Sequence, residues 1–450
     1  MTDLTLGRDA SRAQPTAQRQ SHAKTIVGTG IGNALEWYDW GVYAIFTPFF
    51  ASQFFNGANQ ASAVLLTLAV FAVGFVARPF GGFLFGWLAD HTGRKFAMAA
   101  TVGAAAVGSI VIGVSPNYAS IGVGASLILV LARLLQGLAH GGELPSAQTY
   151  ISEKASRHNR GLWSSLIYVS GTTGNVVGVI LGVILTASLD KQQMSSFGWR
   201  IPFLLGGALG LYALYMRSKM TETEVFHHDV DQRKQDKPRV WPQIVRHRKQ
   251  ALQVIGMTVG LTVAYYAWAI SAPAYAISAL KIDETDALWA GVVANLVFIA
   301  ILPLWGMLSD RIGRKPVLLA CALGTAAVLF PLQFLVRHQA WQLGLAMCIA
   351  MVFIAAGAAI VPAVYAELFP THIRAVGVGV PYSICVALFG GTAPYLQTWI
   401  GGTMGRSAFT GYVIILLVIS AAVILTLPET RGRELHEQRS AAASELPSEM

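Results

Sequence analysis

Residues 86–95 read Gly86-Trp-Leu-Ala-Asp90-His-Thr-Gly93-Arg94-Lys95, and a closely similar stretch, Gly306-Met-Leu-Ser-Asp310-Arg-Ile-Gly313-Arg314-Lys315, follows 220 residues later. Each stretch comes directly after a long apolar run. A second match keeps the same order, because Glu153 precedes Arg160 by seven residues as Glu367 precedes Arg374. A weaker third match pairs Glu222-Thr223 with Glu429-Thr430. This recurrence indicates a chain built from two similar halves, with a substrate path between them near the membrane midplane.

The composition favours a protein embedded in lipid. Hydrophobic residues make up 54% of the 450 positions and charged residues only 12%, which is about half the usual charged share of a soluble domain. A soluble fold with so few charges would expose large apolar patches. The formal net charge of +9 does not indicate nucleic-acid binding, because the basic residues fall in short clusters between apolar runs instead of on one water-facing surface.

The apolar runs predict an all-α polytopic membrane protein with twelve transmembrane helices. A spanning helix needs about 20 mostly apolar residues. Twelve runs meet this requirement, at residues 24–53, 62–89, 96–115, 121–152, 159–188, 199–218, 250–280, 286–308, 316–336, 341–368, 374–402 and 408–428. The predicted domains are two six-helix bundles at 24–218 and 250–430, a cytoplasmic linker at 219–249, and disordered cytoplasmic tails at 1–23 and 431–450.

Lysine and arginine residues predict the orientation of these helices. If the N-terminus is cytoplasmic, 25 of the 32 basic residues lie in cytoplasmic segments, five lie on the opposite side and two lie within the membrane. Because cytoplasmic loops carry an excess of Lys and Arg, both termini are predicted to be cytoplasmic.

The loop motif resembles the signature of the major facilitator superfamily, and four further motifs resemble its metabolite:proton symporter family. They are Gly32-Asn-Ala-Leu-Glu36-Trp-Tyr-Asp39, Arg78-Pro-x-Gly81-Gly82, Gln136-Gly137-x-x-x-Gly141-Gly142-Glu143 and Gly198-Trp-Arg200-Ile-Pro-Phe203. The resemblance covers about residues 24–430. It implies the major facilitator fold, with two pseudo-symmetric six-helix bundles, in the inner (plasma) membrane of a bacterium. It also implies import of a small metabolite with protons by alternating access.

Charged residues within predicted spans are functional candidates, because charges in a membrane are costly unless they are paired or hydrated. Counting residues from the helix ends places Asp39 and Arg133 at similar depths. An Asp–Arg pair of this kind is a workable proton switch. A substrate carboxylate can take the arginine, and the acid left behind then gains a proton. The alternative is a structural ion pair that only fixes helix packing.

Three further polar residues have two interpretations each. Glu36 is a second proton site or a substrate ligand, or else it is a partner for Arg78. Arg78 is an anion ligand, since a guanidinium can clamp a carboxylate through two hydrogen bonds, or else a packing residue. His140 can titrate near neutral pH, although a lone histidine among small residues more often only packs.

The predicted proton-coupling residues are Asp39, Glu36 and Arg133. The remaining predicted substrate ligands are polar or aromatic side chains that share helix faces with these charges or lie on the second half of the chain. Together with Arg78 and Arg133, the predicted ligands are Tyr43, Tyr168, Asn175, Tyr265, Tyr266 and Tyr382. Aromatic residues in such helices also serve as anchors at the membrane interface, which is the alternative for each tyrosine.

The duplicated loops are predicted to act as a gate. The resemblance implies that their acids and arginines form a breakable charge network that closes the cytoplasmic side. The predicted gating residues are Asp90, Arg94, Glu153, Arg160, Asp310, Arg314, Glu367 and Arg374. The positive-inside rule alone would explain the basic residues but not the acids that recur at fixed spacing.

These features predict a secondary transporter that imports a small carboxylate, such as a ketodicarboxylate, together with protons. The expected partners are the substrate, protons and the bilayer; a monomer without nucleic acid, cofactor or metal is expected. The alternatives are import of a zwitterion such as proline or betaine, and an uncoupled facilitator or exporter of the same fold. An embedded enzyme is disfavoured, because no metal-binding or nucleophile–base motif is present.

Overall fold

Twelve long helices make up the structure, a computed structural model that describes residues 15–92, 94–141, 148, 151–152, 155–218, 246–370 and 373–435. The first six are α1 Pro15–Phe54, α2 Gln60–Thr92, α3 Arg94–Val114, α4 Val123–His140, α5 Arg160–Ser188 and α6 Arg200–Ser218. The seventh helix, α7, is interrupted and runs from Arg248 to Leu280. It is followed by α8 Glu284–Ile312, α9 Arg314–Leu335 and α10 Ala340–Leu368. The last two are α11, which is also interrupted and runs from Arg374 to Thr403, and α12 Arg406–Thr426.

Hydropathy and burial both fit a membrane-spanning protein. Ten of the described helical segments are long and apolar enough to cross a bilayer, and a shorter apolar helix spans Ala99–Val114. With α1, they make up the twelve predicted helices. Large aliphatic side chains such as Leu127 and Ile415 are exposed, whereas Arg133 is completely buried. This reversal of the usual distribution is what lipid, as the surrounding solvent, favours.

The helices pack into two bundles that meet along two seams. In the N-terminal bundle α1 packs on α5, α2 on α4, and α3 on α6. In the C-terminal bundle α7 packs on α12, α8 on α10, and α9 on both α10 and α12. Between the bundles, α5 contacts α8 and α10, and α2 contacts α11. This arrangement matches the two predicted bundles of six helices each.

One end of the α5–α8 seam depends on two glycines. A Cβ atom on Gly161 would lie 2.6 Å from the carbonyl oxygen of Gly306, and a Cβ on Gly306 would lie 2.6 Å from that of Gly161. Both distances are shorter than side chains tolerate, so glycine at each position lets the two backbones touch. Both residues lie at the end of the bundles that carries the duplicated loops, called here the latch face.

Two helices of the C-terminal bundle contain a π-helical turn followed by a proline. In α7, Arg248–Tyr265 continues as the π-helical Tyr266–Ile270 and then as Ala272–Leu280. In α11, Arg374–Cys385 continues as the π-helical Val386–Gly390 and then as Ala393–Thr403. A proline has no N–H to bond the carbonyl four residues earlier, and such π turns occur frequently at functional sites. In α7, Pro273 therefore leaves the carbonyl of Ala269 open to other donors.

Two predicted boundaries differ from the helices of the structure. The first helix already includes Pro15, the first described residue, although its apolar run begins at residue 24 and the predicted disordered tail covers residues 1–23. Hydropathy locates the part of a helix that faces lipid, whereas helical hydrogen bonding can extend beyond that part. At the other end, residues 431–435 contact the latch face and are described below. Residues 219–245 of the linker and 436–450 of the tail lie outside the described part.

Candidate functional site

The first element of the site is an ion pair between α1 and α2. Arg78 Nη2 lies 3.3 Å from Glu36 Oε1, and both side chains are buried. The ring of Tyr266, from α7, packs against Phe75 at 5.4 Å, one turn before Arg78. The pair therefore lies close to the seam between the bundles, and Glu36 has the partner that the sequence offered as one of its two interpretations.

The second element connects Asp39 to Arg133 through two intervening side chains. Ser109 Oγ donates to Asp39 Oδ1 at 3.0 Å, Gln136 Nε2 donates to Ser109 Oγ at 2.8 Å, and Arg133 Nη1 donates to Gln136 Oε1 at 2.7 Å. Asp39 also faces α6, because a Cβ on Gly206 would lie 2.7 Å from Asp39 Oδ1. The two charged residues belong to one polar chain inside the N-terminal bundle, but they are not joined directly.

Arg133 retains unused hydrogen-bonding capacity. Its Cζ lies 3.9 Å from the ring centre of Tyr43 and 4.4 Å from that of Trp40. The Tyr43 hydroxyl itself donates to the carbonyl of Thr67 at 2.9 Å. Arg133 Nε and Nη2 are buried without a hydrogen-bond partner among the described residues. These two N–H groups form one side of the guanidinium fork, which is the side a carboxylate can bind through both of its oxygens.

Aromatic rings from both bundles meet at the seam. The rings of Trp37, Tyr168 and Tyr265 are in mutual edge contact, with centres 5.2 to 5.9 Å apart. The ring of Tyr382 lies 5.9 Å from that of Tyr365, whose hydroxyl contacts Thr258. These three predicted tyrosine ligands, like Tyr43, therefore lie inside the protein instead of anchoring it at the membrane interface.

Asn175 lies where α1, α5 and α7 converge. Its Nδ2 points to the carbonyl of Ala269 at 3.5 Å, and Asn295 Nδ2 from α8 points to the same oxygen at 3.4 Å. This is the carbonyl that Pro273 leaves open. The Oδ1 atoms of both asparagines are buried without a hydrogen-bond partner in the described part of the chain. The π turn of α7 thus concentrates amide donors and acceptors at the seam.

At the latch face, ion pairs join four of the eight predicted gating residues. Arg160 Nη1 of the N-terminal bundle donates to Glu367 Oε1 of the C-terminal bundle at 2.8 Å, and both side chains are buried. Arg314 lies 3.3 Å from the same Glu367 oxygen and 2.8 Å from Asp310 Oδ1. Asp310 in turn accepts hydrogen bonds from the backbone N–H groups of Gly161 and Leu162 at 2.9 and 3.0 Å.

The remaining predicted gating residues are placed only in part. Arg374 is buried, and its Nε donates to the carbonyl of Ala366 at 2.8 Å. The side chains of Asp90 and Arg94, and residue Glu153, lie outside the described part of the structure.

A short segment after α12 completes the network. Thr430 Oγ1 donates to Glu367 Oε2 at 2.6 Å, and the carbonyl of Arg433 accepts from Arg160 Nη1 at 3.1 Å. Glu429 accepts four backbone N–H groups, including those of Arg314 and Lys315. Burial alone would raise the pKa of Glu429, but these hydrogen bonds, beginning with that from Arg314, lower it below its ordinary value.

Sequence reasoning missed several polar partners in the site. Ser109 and Asn295 stand alone in apolar runs, and no motif points to them. Gln136 belongs to a motif that the sequence shares with the symporter family. Glu429 and Thr430 are in the weakest of the three repeats, which is the signal that could have identified them.

A membrane-spanning pair of six-helix bundles, with buried charges in one bundle and a buried ion pair that joins both, defines a secondary transporter of the major facilitator fold. The family described as sugar (and other) transporter matches residues 25–239 and 219–442. Among solved structures, a D-xylose-proton symporter has a TM-score of 0.71 and 19% identity, covering 92% of this chain and 100% of its own.

Curated relatives of known name are more similar in sequence. Alpha-ketoglutarate permease of Escherichia coli (strain K12) is 34% identical over 431 residues, which is 95% of this chain and 98% of the relative. A putative proline/betaine transporter of Staphylococcus aureus (strain COL) is 34% identical over 445 residues, which is 95% of this chain and 94% of the relative. The chain belongs to the sugar (and other) transporter family of the major facilitator superfamily, among its metabolite:proton symporters. It is a transporter and not an enzyme.

Proposed function

We propose that the protein imports a small organic acid together with protons by alternating access. The observation that carries this proposal is the buried Arg133 fork, whose Nε and Nη2 groups have no partner in the described structure. Leaving a buried donor unsatisfied costs about 1–3 kcal/mol, and more for a charged group. A carboxylate that binds both N–H groups removes that cost, which favours an anionic substrate. The similarity to a protein named alpha-ketoglutarate permease supports the same class.

In this proposal, the hydrogen-bonded chain from Arg133 to Asp39 couples substrate binding at Arg133 to protonation of Asp39. When a substrate carboxylate binds Arg133, the hydrogen bond from Arg133 to Gln136 competes with the new contact. The positive charge that favours ionised Asp39 is then partly neutralised, so Asp39 takes up a proton. Departure of the substrate on the other side restores the chain and releases that proton. Glu36 is the second acid of this site, and its partner Arg78 is a second anion ligand.

The seam supplies the neutral part of the proposed substrate site. The side chains of Tyr168, Tyr265, Tyr266 and Tyr382, with Asn175, surround the junction of α1, α5, α7 and α11. In this proposal their hydroxyl and amide groups hydrogen-bond the uncharged atoms of the substrate. They also exclude water, which strengthens the contact between the substrate and the arginines.

A zwitterionic substrate such as proline or betaine is the second candidate. The three rings of Trp37, Tyr168 and Tyr265 favour it, because aromatic faces attract a quaternary or secondary ammonium group through cation–π contacts. Relatives named proline/betaine transporter favour it too. In that case Arg133 binds the carboxylate and the rings bind the ammonium.

We further propose that both termini and the latch face are cytoplasmic and that the protein works as a monomer in a bacterial inner membrane. The excess of lysine and arginine in the segments on the latch side supports this orientation. Single cysteines at exposed positions such as Ser156 and Ser407, on opposite ends, would test it with an impermeant reagent. Labelling of Ser407→Cys but not Ser156→Cys from outside intact cells is the expected result.

Uptake into proteoliposomes tests the proposed function. Purified protein should accumulate a labelled ketodicarboxylate when the outside is more acidic, and a protonophore should abolish the accumulation. Proline and betaine are compared under the same gradient. Preferred uptake of a zwitterion would favour the second candidate. Equilibration without accumulation would indicate an uncoupled facilitator, and accumulation driven only by an opposite gradient would indicate an exporter.

A further inference from the structure

The indole of Trp40 lies against both arginines of the N-terminal bundle. Its ring centre is 4.2 Å from Arg78 Cζ and 4.4 Å from Arg133 Cζ. The two guanidinium carbons are therefore at most about 9 Å apart, each in the range of a cation–π contact with the same ring. The hydrogen bonds described above do not connect the Glu36–Arg78 pair with the Asp39–Arg133 chain. Trp40 touches both.

The position of the indole is closely defined by its neighbours. It is 5% exposed, its centre lies 4.1 Å from that of Phe75, and it meets Phe71 edge-on at 5.5 Å. A Cβ atom on Gly74 would lie 2.9 Å from Trp40 Cη2. The packed ring is therefore held against both guanidinium groups at once.

Trp40 also carries an unused donor at this position. Its Nε1 is buried without a hydrogen-bond partner among the described residues, as are Arg78 Nε, Arg133 Nε and Arg133 Nη2. His140, whose ring centre lies 6.1 Å from that of Trp40, has a buried Nδ1 without a partner in the same part of the structure. Buried donors are rarely left unpaired. Several of them around one indole indicate that an anion or a polar ligand visits this place.

We propose that Trp40 is a positioning residue that transmits substrate binding at the Arg78 side to the proton-carrying chain of Arg133 and Asp39. This inference rests on the proposed function. An anion that binds Arg78 draws its guanidinium away from the indole, and the indole follows toward the space that is vacated. Arg133 then loses its support on one face, and this adds to the competition of the substrate carboxylate for Arg133, so that Arg133 releases Gln136. The positive charge that favours ionised Asp39 is weakened through Gln136 and Ser109, and one proton, delivered as hydronium from the more acidic side, joins one oxygen of the Asp39 carboxylate and leaves a water molecule behind.

The surroundings of Asp39 are compatible with this path. The charged and titratable side chains near the chain are Tyr38, Glu36 and Tyr43 on α1, Arg78 on α2, Arg133 and His140 on α4 and Tyr266 on α7. From α3 and α6 the neighbours are the uncharged Ser109 and Gly206. Tyr38 is occupied, since its hydroxyl donates to the carbonyl of Pro202 at 2.8 Å. Arg133 is thus the cation tied to Asp39 through the hydrogen-bonded chain, and Trp40 contacts both Arg133 and Arg78.

The test separates substrate exchange from proton coupling in the full-length protein in proteoliposomes. Trp40→Phe keeps a ring and removes the N–H, whereas Trp40→Leu removes both. Trp199 gives a matched control, because it is also fully buried and has a guanidinium, that of Arg200, 4.4 Å from its ring centre. Counterflow exchange, in which no net proton movement is needed, is measured beside accumulation driven by a pH gradient.

Trp40→Leu should keep counterflow within about threefold of the unaltered protein and lower gradient-driven accumulation by about tenfold or more, since the shared cation–π contacts are gone. The gradient-driven accumulation of Trp40→Phe should lie between that of Trp40→Leu and that of the unaltered protein. Trp199→Leu should change both rates in the same proportion. Gly74→Ala presses on the indole in a protein that retains Trp40, because its Cβ would lie 2.9 Å from Trp40 Cη2 and 3.2 Å from the carbonyl oxygen of Arg133, and it should also lower gradient-driven accumulation.

Two results would overturn the inference while leaving the proposed function intact. One is accumulation by Trp40→Leu and Gly74→Ala equal to that of the unaltered protein. The other is loss of counterflow and accumulation together in Trp40→Phe, which would make the indole a simple substrate ligand. If the unaltered protein transports no organic acid or zwitterion under any gradient, the proposed function fails instead, and the inference fails with it.

Discussion

Removing the charge of Glu367 should open the latch face. Glu367 is completely buried and is the acid that pairs across the bundles with Arg160. Breaking a buried pair by neutralising one member costs about 3–5 kcal/mol, because the other charge is left without compensation. The lower end applies here, since Arg160 keeps the carbonyls of Ser152 and Arg433 as acceptors. A loss of about 3 kcal/mol from the closed state raises the open population about a hundredfold.

Cysteine labelling can measure this change. Ser152 is completely buried behind the latch, and its Oγ donates to the carbonyl of Pro362 across the bundles. In Ser152→Cys, an impermeant thiol reagent should react about a hundred times faster when Glu367→Gln is added, provided that the open state exchanges rapidly. The protein without the introduced cysteine gives the background from Cys348, which is partly exposed, and from the buried Cys321 and Cys385.

An exposed ion pair on the same face provides the control. Arg157 Nη1 lies 2.6 Å from Glu434 Oε1, but both side chains are about half exposed. Exposed pairs contribute about 1 kcal/mol or less, so Glu434→Gln should accelerate labelling at most about fivefold. An unchanged labelling rate in Glu367→Gln, or an equal acceleration by Glu434→Gln, would show that the Glu367–Arg160 pair does not keep the latch face closed.

Three further predictions concern single carboxylates and arginines. Asp39→Asn resembles the protonated acid, so it should retain counterflow and lose accumulation driven by a pH gradient; if Glu36→Gln alone loses accumulation, the proton site belongs to Glu36. Arg133→Lys should weaken substrate binding about tenfold or more, because a point charge cannot reproduce the planar fork; unchanged affinity in both Arg133→Lys and Arg78→Lys, measured by thermal shift with ligand, would rule out the anion site. Glu429→Gln should lower the melting temperature at neutral pH. Because the pKa of Glu429 is lowered in the folded protein, its carboxylate stabilises the fold at any pH above the pKa that it has in the unfolded chain. This stabilisation disappears as the pH falls through the pKa of the folded state. The two melting temperatures should therefore converge in acid, and a constant difference at all pH values would contradict this origin.

The fold could be predicted because its determinants are local. Twenty apolar residues between polar loops identify a spanning helix wherever it packs, and the repeated loops mark the two halves. The run at residues 24–53 predicts the spanning part of the first helix but not that the helix already includes Pro15, because helical hydrogen bonding continues beyond the part that lipid selects. The run at residues 250–280 predicts one continuous helix, whereas α7 is interrupted, since its π turn depends on how Pro273 is accommodated between neighbouring helices.

The sequence predicts how deep the charged residues of the candidate site lie along their helices, but not which way their side chains point. Counting residues placed Asp39 and Arg133 at similar heights, which agrees with their connection through Ser109 and Gln136. A direct pair did not follow, because the count fixes a height along the helix and leaves the rotation of the side chain about its axis undetermined. Rotation is set by packing, here by the aromatic rings around Arg133 and by the close approach of α6 to Asp39.

The distribution of charge between the bundles has a consequence for the transport cycle. The buried charges of the membrane interior, from Glu36 to Arg133, lie in the N-terminal bundle, whereas the described interior of the C-terminal bundle contributes neutral groups such as Asn295, Tyr265 and Tyr382. A charge that moved relative to its partners in a low-dielectric interior would lose several kcal/mol of interaction. Keeping both arginines and both acids in one bundle lets the other bundle move past them without separating any ion pair at that depth. The buried ion pair that joins the two bundles in the described structure, Arg160–Glu367, lies instead at the latch face.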